Sequence, residues 1–123
     1  MPRVVHFEVI TDDPERAARF YSEVFNWKIE KWAGPVDYWL VYTGSGDEAG
    51  IDGAIRYPEA VHSQSVINTI SVPSVDDFTK KIVASGGKVA SPKAAIPGVG
   101  YHAYCQDPEG NTFGIMQDDK SAR

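Results

Sequence analysis

Val4-Val5-His6-Phe7-Glu8-Val9-Ile10, followed at once by Thr11-Asp12-Asp13-Pro14-Glu15-Arg16, is the stretch on which the reading of this chain turns. In an extended strand successive side chains point to opposite faces, so Val5, Phe7 and Val9 share one face and His6 and Glu8 the other. The apolar face calls for a helix to cover it, and the next residues start one. Asp12 or Asp13 caps free backbone N–H groups, Pro14 suits the first turn, and Glu15 complements the positive end of the helix dipole. Ala17, Phe20, Tyr21 and Val24 then recur at helical spacing, which predicts a helix over 14–25 whose stripe packs on Val5, Phe7 and Val9. The other face carries an imidazole and a carboxylate side by side. Such a pair ligates a metal, moves a proton, or closes a hydrogen-bonded pair within a polar pocket.

Downstream, the alternation in 27–32 predicts a half-exposed strand, and the bulky run Tyr38-Trp39-Leu40-Val41-Tyr42 a second. A Gly/Ser/Asp loop over 44–48 leads to a short strand over about 51–57. After a connector at 58–64, in which His62 reads as solvated, the order begins again. A strand over 66–72 precedes Ser74 and Asp77, a capping pattern, and a stripe of Val75, Phe78 and Ile82 that ends at Gly86-Gly87. A short strand at 88–91, a Pro/Gly loop at 94–100 that reads equally as a lid or as a plain connection, and a strand at 101–106 follow. Asp107-Pro108-Glu109-Gly110-Asn111 has the chemistry of a tight turn before the last strand, 112–117, and the charged tail is expected to fray. The chain thus reads as one domain, 1–123, made of two β-α-β-β-β modules at about 3–57 and 65–118, with a tail at 119–123.

With 123 residues, 42% hydrophobic and 24% charged, one soluble domain is expected. The net charge of −5 argues against nucleic acid as a partner, since no basic stripe is present to neutralise phosphates. No apolar run approaches the roughly 20 residues that span a bilayer, and Met1-Pro2-Arg3 lacks the layout of a signal peptide. A single cysteine, Cys105, forms no internal disulfide and fits a cytoplasmic protein with an inert buried thiol.

His6, Asp13-Pro14, Phe20-Tyr21, a second capped helix closed by Gly86-Gly87, and Asp107-Pro108-Glu109-Gly110-Asn111 before a final strand together resemble the vicinal oxygen chelate superfamily. This group includes glyoxalase I, bleomycin-resistance proteins and extradiol dioxygenases. The resemblance implies an α+β fold of paired βαβββ modules forming a cup-shaped, barrel-like mixed sheet with helices outside, and a homodimer. It also implies metal ligands on the first and last strands of each module. His6 matches the first of these positions. Aligning the helix starts Pro14 and Val75 puts Ile67 opposite His6, the next position falls near Gly53-Ala54, and the last on Gly114. Ile67, Ala54 and Gly114 donate nothing to a metal, whereas a tight site wants three or four N/O ligands. No cofactor is therefore expected; a divalent metal would have to use His6 and Glu8.

The expected site is a small-molecule cavity with His6 and Glu8 as the catalytic or lining pair, and Trp39, Thr69, Tyr101, Tyr104, Gly114 and Met116 contacting the ligand. Gly114 is expected to leave room where a carboxylate would have stood. The same alignment puts Asn68 on the helix-facing side, where a buried amide would need partners. Three readings of function follow. The first is a metal-free, glyoxalase-like protein that binds a small molecule or moves a proton on a carbonyl compound. The second is a metal-dependent lyase, isomerase or dioxygenase with an atypical ligand set. The third is a drug-sequestering protein like the bleomycin-resistance branch.

Overall fold

Thr11 and Asp13 set the first helix: the Thr11 hydroxyl accepts from the Asp13 amide at 3.1 Å, and Asp13 Oδ1 accepts from the Arg16 amide at 3.1 Å. Asp13, of the two aspartates, is thus the cap. In the computed structural model, which describes residues 2–59 and 64–123, this helix joins the first two strands. His62 lies outside the described residues. In chain order the elements are β1 (Arg3–Ile10), α1 (Pro14–Phe25), β2 (Lys28–Lys31), β3 (Tyr38–Tyr42), β4 (Asp52–Arg56), β5 (Val66–Ser71), α2 (Val75–Ala84), β6 (Lys88–Ile96), β7 (Gly100–Gln106) and β8 (Thr112–Asp118). That is β-α-β-β-β twice, the expected α+β arrangement. No helix among the described residues is long and apolar enough to cross a membrane.

The chain divides into two compact units, His6–Ile67 and Asn68–Arg123, the latter also taking the residues up to Val5. In the first, the strands run β2-β3-β4-β1, with β1 and β4 parallel and the other neighbours antiparallel. Phe7 and Val9 turn to the helix side, where Trp39, Val41 and Ile55 are buried with Ala17, Ala18, Tyr21, Trp27 and Ile29 around them. The Tyr21 and Trp27 rings stack at 5.3 Å and 9°. The helix stripe is thus shifted from its expected position. Ala17, Ala18 and Tyr21 face the sheet, whereas Phe20, Val24 and Phe25 are each more than half exposed.

In the second unit the order is β5-β8-β7-β6. The Ser74 hydroxyl caps α2 by accepting from the Asp77 amide at 3.1 Å. Val75, Phe78 and Ile82 then pack with Val72, Ile70, Tyr101, Ala103, Cys105, Phe113 and Ile115. Asn68 shares this side of β5 with Ile70 but is exposed, so its amide is not the buried group that would need protein partners.

Two expectations are corrected here. The second strand of this unit in chain order, β6, continues through Pro92 to Ile96, with register shifts between Val89 and Ser91 and between Ser91 and Ala94. An edge position tolerates the missing proline N–H, and β6 ends the strand order. The segment after it is a plain connection between β6 and β7. It is a tight turn in which Gly98 takes φ 75° and the Val99 amide donates to Ile96 O at 2.9 Å. The charged tail is not frayed: Ala122 O accepts from the Gly98 amide, the Asp119 amide donates to Val99 O, both at 2.9 Å, and Ala122 is buried.

Candidate functional site

On the face of the first unit turned away from α1, the register places His6 beside Asp52 and Glu8 beside Ala54, while Tyr38 lies beside Arg56. Tyr38 on β3 and Glu8 on β1 therefore flank β4, and a long side chain is needed to bridge it. Ala54, buried and small, adds no bulk on that face. The Tyr38 hydroxyl reaches across, donating to Glu8 Oε2 at 2.8 Å, and His6 Nε2 stands 3.0 Å from the same hydroxyl oxygen. Arg56 Nε donates to Glu8 Oε1 at 3.0 Å, and Arg56 Nη1 donates to Tyr57 O at 3.0 Å. Glu8 is 4% and Arg56 5% exposed. A buried carboxylate needs such compensation: one guanidinium neutralises it and one phenol fills its second oxygen.

His6 is half-buried, and that burial holds its imidazole below the usual histidine range; the negative charges of Glu8 and Asp52 pull the other way. At neutral pH the ring is uncharged, as a proton acceptor must be. Glu8, with both oxygens engaged, orients the network.

The second unit repeats the frame with different chemistry. Thr69 lies beside Gly114 and Gly114 beside Tyr104, as Glu8 lies beside Ala54 and Ala54 beside Leu40. Two residues further along, Ser71, Met116 and His102 take the places of Ile10, Arg56 and Tyr38. The positions of His6, Glu8, Tyr38 and Arg56 thus correspond to Ile67, Thr69, His102 and Met116. The His102 and Tyr104 rings meet edge to face at 5.7 Å. A Cβ at Gly114 would stand 3.1 Å from Thr69 Oγ1 and 3.6 Å from Tyr104 Cε1. The room expected there is taken by the chain's own side chains.

Of the residues picked from the sequence, His6 and Glu8 come together, and Thr69, Tyr104, Gly114 and Met116 share one sheet face of the second unit. Trp39 and Tyr101 do not lie on these faces: Trp39 is in the core under α1 and Tyr101 packs against the core under α2. Cys105 is fully buried there too, which pushes its thiol up from the ordinary cysteine range. Sequence reasoning missed Tyr38 and Arg56. The signal available was an arginine two residues beyond Ala54, on the same strand face.

These residues do not fit a resident metal. Among the described residues no three His, Cys, Asp or Glu side chains gather as a metal-binding group. On this face His6 Nε2 is committed to Tyr38, the Glu8 oxygens to Tyr38 and Arg56, and Asp52 Oδ1 accepts from the Thr43 amide.

Known proteins place this geometry in context. A "Glyoxylase-like domain-containing protein" of Didymella fabae is 30% identical over 112 residues, covering 88% of each chain. Among solved structures, the methylmalonyl-CoA epimerase from Mycobacterium tuberculosis has a TM-score of 0.69 at 8% identity, over 94% of this chain and 87% of that one. A glyoxalase/bleomycin resistance protein/dioxygenase superfamily member from Vibrio splendidus 12B01 has a TM-score of 0.67 at 17% identity, over 96% of this chain and 100% of that one. At such identities the two structures speak for the fold alone. The model of the Glyoxalase/Bleomycin resistance protein/Dioxygenase superfamily matches residues 3–115, and the chain belongs to that superfamily.

Proposed function

We propose that this protein binds a small carbonyl compound over the polar face of β1 and β4 and, without a metal, moves a proton on it with His6 as the base. One observation carries the reading. The tetrad His6–Tyr38–Glu8–Arg56 spends both Glu8 oxygens and the His6 Nε2 on protein partners, while burial holds the imidazole below the usual histidine range. In the step envisaged, His6 takes a proton from the carbon next to the carbonyl. The C–H electron pair moves into the carbonyl as an enolate, the proton held on the imidazole exchanges with solvent, and a solvent-derived proton is returned to carbon. Glu8 and Arg56 do not touch the ligand; they hold the base.

The test is exchange of that carbon-bound proton for deuterium, followed by proton NMR in D₂O. Methylmalonyl-CoA and the hemithioacetal of methylglyoxal with glutathione serve as probes, with EDTA present. Exchange that survives EDTA and falls by roughly 10²-fold or more in His6→Gln supports the reading. Exchange that vanishes in EDTA and returns with added zinc, nickel or manganese would sink it. Saturable binding with no exchange would keep the site and remove the catalytic step.

A second copy of the chain is the expected partner, supported by the exposed apolar band of Phe20, Val24 and Phe25 on α1. Light scattering would then give a dimer for the wild type and a monomer for Phe20→Glu.

A further inference from the structure

The hydrogen-bond directions in the tetrad fix more than its shape. The Tyr38 hydroxyl has one proton, and it is donated to Glu8 Oε2. Glu8 is held as the acceptor because Arg56 Nε donates to its other oxygen and supplies the opposite charge at 3.0 Å. The contact between His6 Nε2 and the Tyr38 oxygen at 3.0 Å then needs a proton from the histidine side. A neutral imidazole has only one N–H, so that proton defines the tautomer.

We infer that Tyr38, held by the Glu8–Arg56 ion pair, is a positioning residue that fixes His6 as the Nε2–H tautomer and leaves Nδ1 as the nitrogen that takes up a proton. The use of Nδ1 as the working base rests on the proton-transfer reading; the tautomer itself does not. The arrangement orders the site through one phenolic proton. Without the Tyr38 hydroxyl, Glu8 Oε2 and His6 Nε2 both lose this partner, and the ring is free to place its proton on either nitrogen. The rest of the frame is kept, because Tyr38→Phe preserves the ring that packs edge to face with Trp32 at 6.1 Å.

The experiment is long-range ¹H–¹⁵N correlation NMR at pH 7.5 on the uniformly ¹⁵N-labelled, ligand-free full chain. The His6 ring is assigned by its disappearance in His6→Gln. The coupling pattern distinguishes the two ring nitrogens, and their shifts show which is protonated. The wild type is expected to show a single Nε2–H form, and Tyr38→Phe an averaged pair of nitrogens. A wild-type ring protonated at Nδ1 overturns the inference, with no variant needed. An unchanged Nε2–H ring in Tyr38→Phe overturns the role of Tyr38. In the deuterium-exchange assay, Tyr38→Phe is expected to lower kcat about tenfold or more with little change in KM, as for a group that orients the base. An Nε2–H ring in the wild type with no exchange on any probe would retain the tautomer and discard the proton-transfer reading, so the two failures are separable.

Discussion

Arg56 and Glu8 form an ion pair at 3.0 Å with side chains only 6% and 5% exposed. Taking two charges out of water is costly, and their attraction repays it only while both are present. Arg56→Ala leaves Glu8 buried without its counter-ion, and the expected loss is about 3–5 kcal/mol of stability. Urea unfolding of wild type, Arg56→Ala, and a Glu8→Leu/Arg56→Met double variant measures it. The double variant should be far more stable than the single one. A single variant within about 1 kcal/mol of wild type would mean that the pair is not held as a buried unit.

Stability should also carry a signature of His6. Its folded-state pKa is depressed by burial below the ordinary 6.5, so the unfolded chain binds the proton more readily than the folded one. The stabilisation is therefore complete above that ordinary value and declines as pH falls through it, levelling off below the depressed folded value. Urea midpoints of wild type and His6→Gln from pH 8 to pH 5 should diverge, the wild type losing more as pH drops. Parallel curves would remove the argument.

Gly114 is a steric prediction. A methyl there meets the Thr69 hydroxyl at 3.1 Å, so Gly114→Ala should cost about 1–3 kcal/mol through overpacking. Adding Thr69→Ala should recover part of that loss in thermal melts. A neutral Gly114→Ala would show that β5 and β8 give way easily.

The C-terminal tail offers a simpler test. Ala122 is 4% exposed, and its carbonyl accepts from the Gly98 amide. Ala122→Asp buries a polar group against that turn and is expected to cost about 1–3 kcal/mol. Hydrogen exchange at the Gly98 and Asp119 amides should rise in the same variant, while exchange in β3 stays slow.

Cys105 is expected to be chemically silent in the folded protein. Its burial raises the thiol pKa and blocks access. Ellman's reagent should react slowly with native protein and completely in guanidinium chloride. Rapid labelling of the native chain would contradict its place in the core.

What could be read from the sequence was whatever is local. The two helices announced themselves through Asp13, Ser74 and their apolar spacing, and alternation alone put His6 and Glu8 on one face. Tyr38 and Arg56 were out of reach because their positions depend on strand register, over separations of 30 residues for Tyr38–Glu8 and 48 for Arg56–Glu8. In Tyr38-Trp39-Leu40-Val41-Tyr42 every residue is apolar or aromatic, so the run gives no parity, and Trp39 could not be assigned to a face. The strand expected at 88–91 runs on through Pro92 to Ile96 because the edge position that tolerates a proline is a tertiary fact. The tail read as frayed because its charges are visible in the letters and its backbone hydrogen bonds are not.

In the second unit, Thr69, His102 and Met116 stand where Glu8, Tyr38 and Arg56 stand in the first, which makes the two halves unequal as starting points for redesign. A new donor or acceptor introduced beside His6 must contend with a carboxylate and a guanidinium that already depend on each other. At Thr69 or Met116 no such partner is stranded, so a carboxylate, thiol or imidazole can be tried there singly, limited chiefly by the space between Thr69 and Tyr104. New chemistry is therefore best grafted onto β5, β7 and β8, leaving the charged half as the fixed reference.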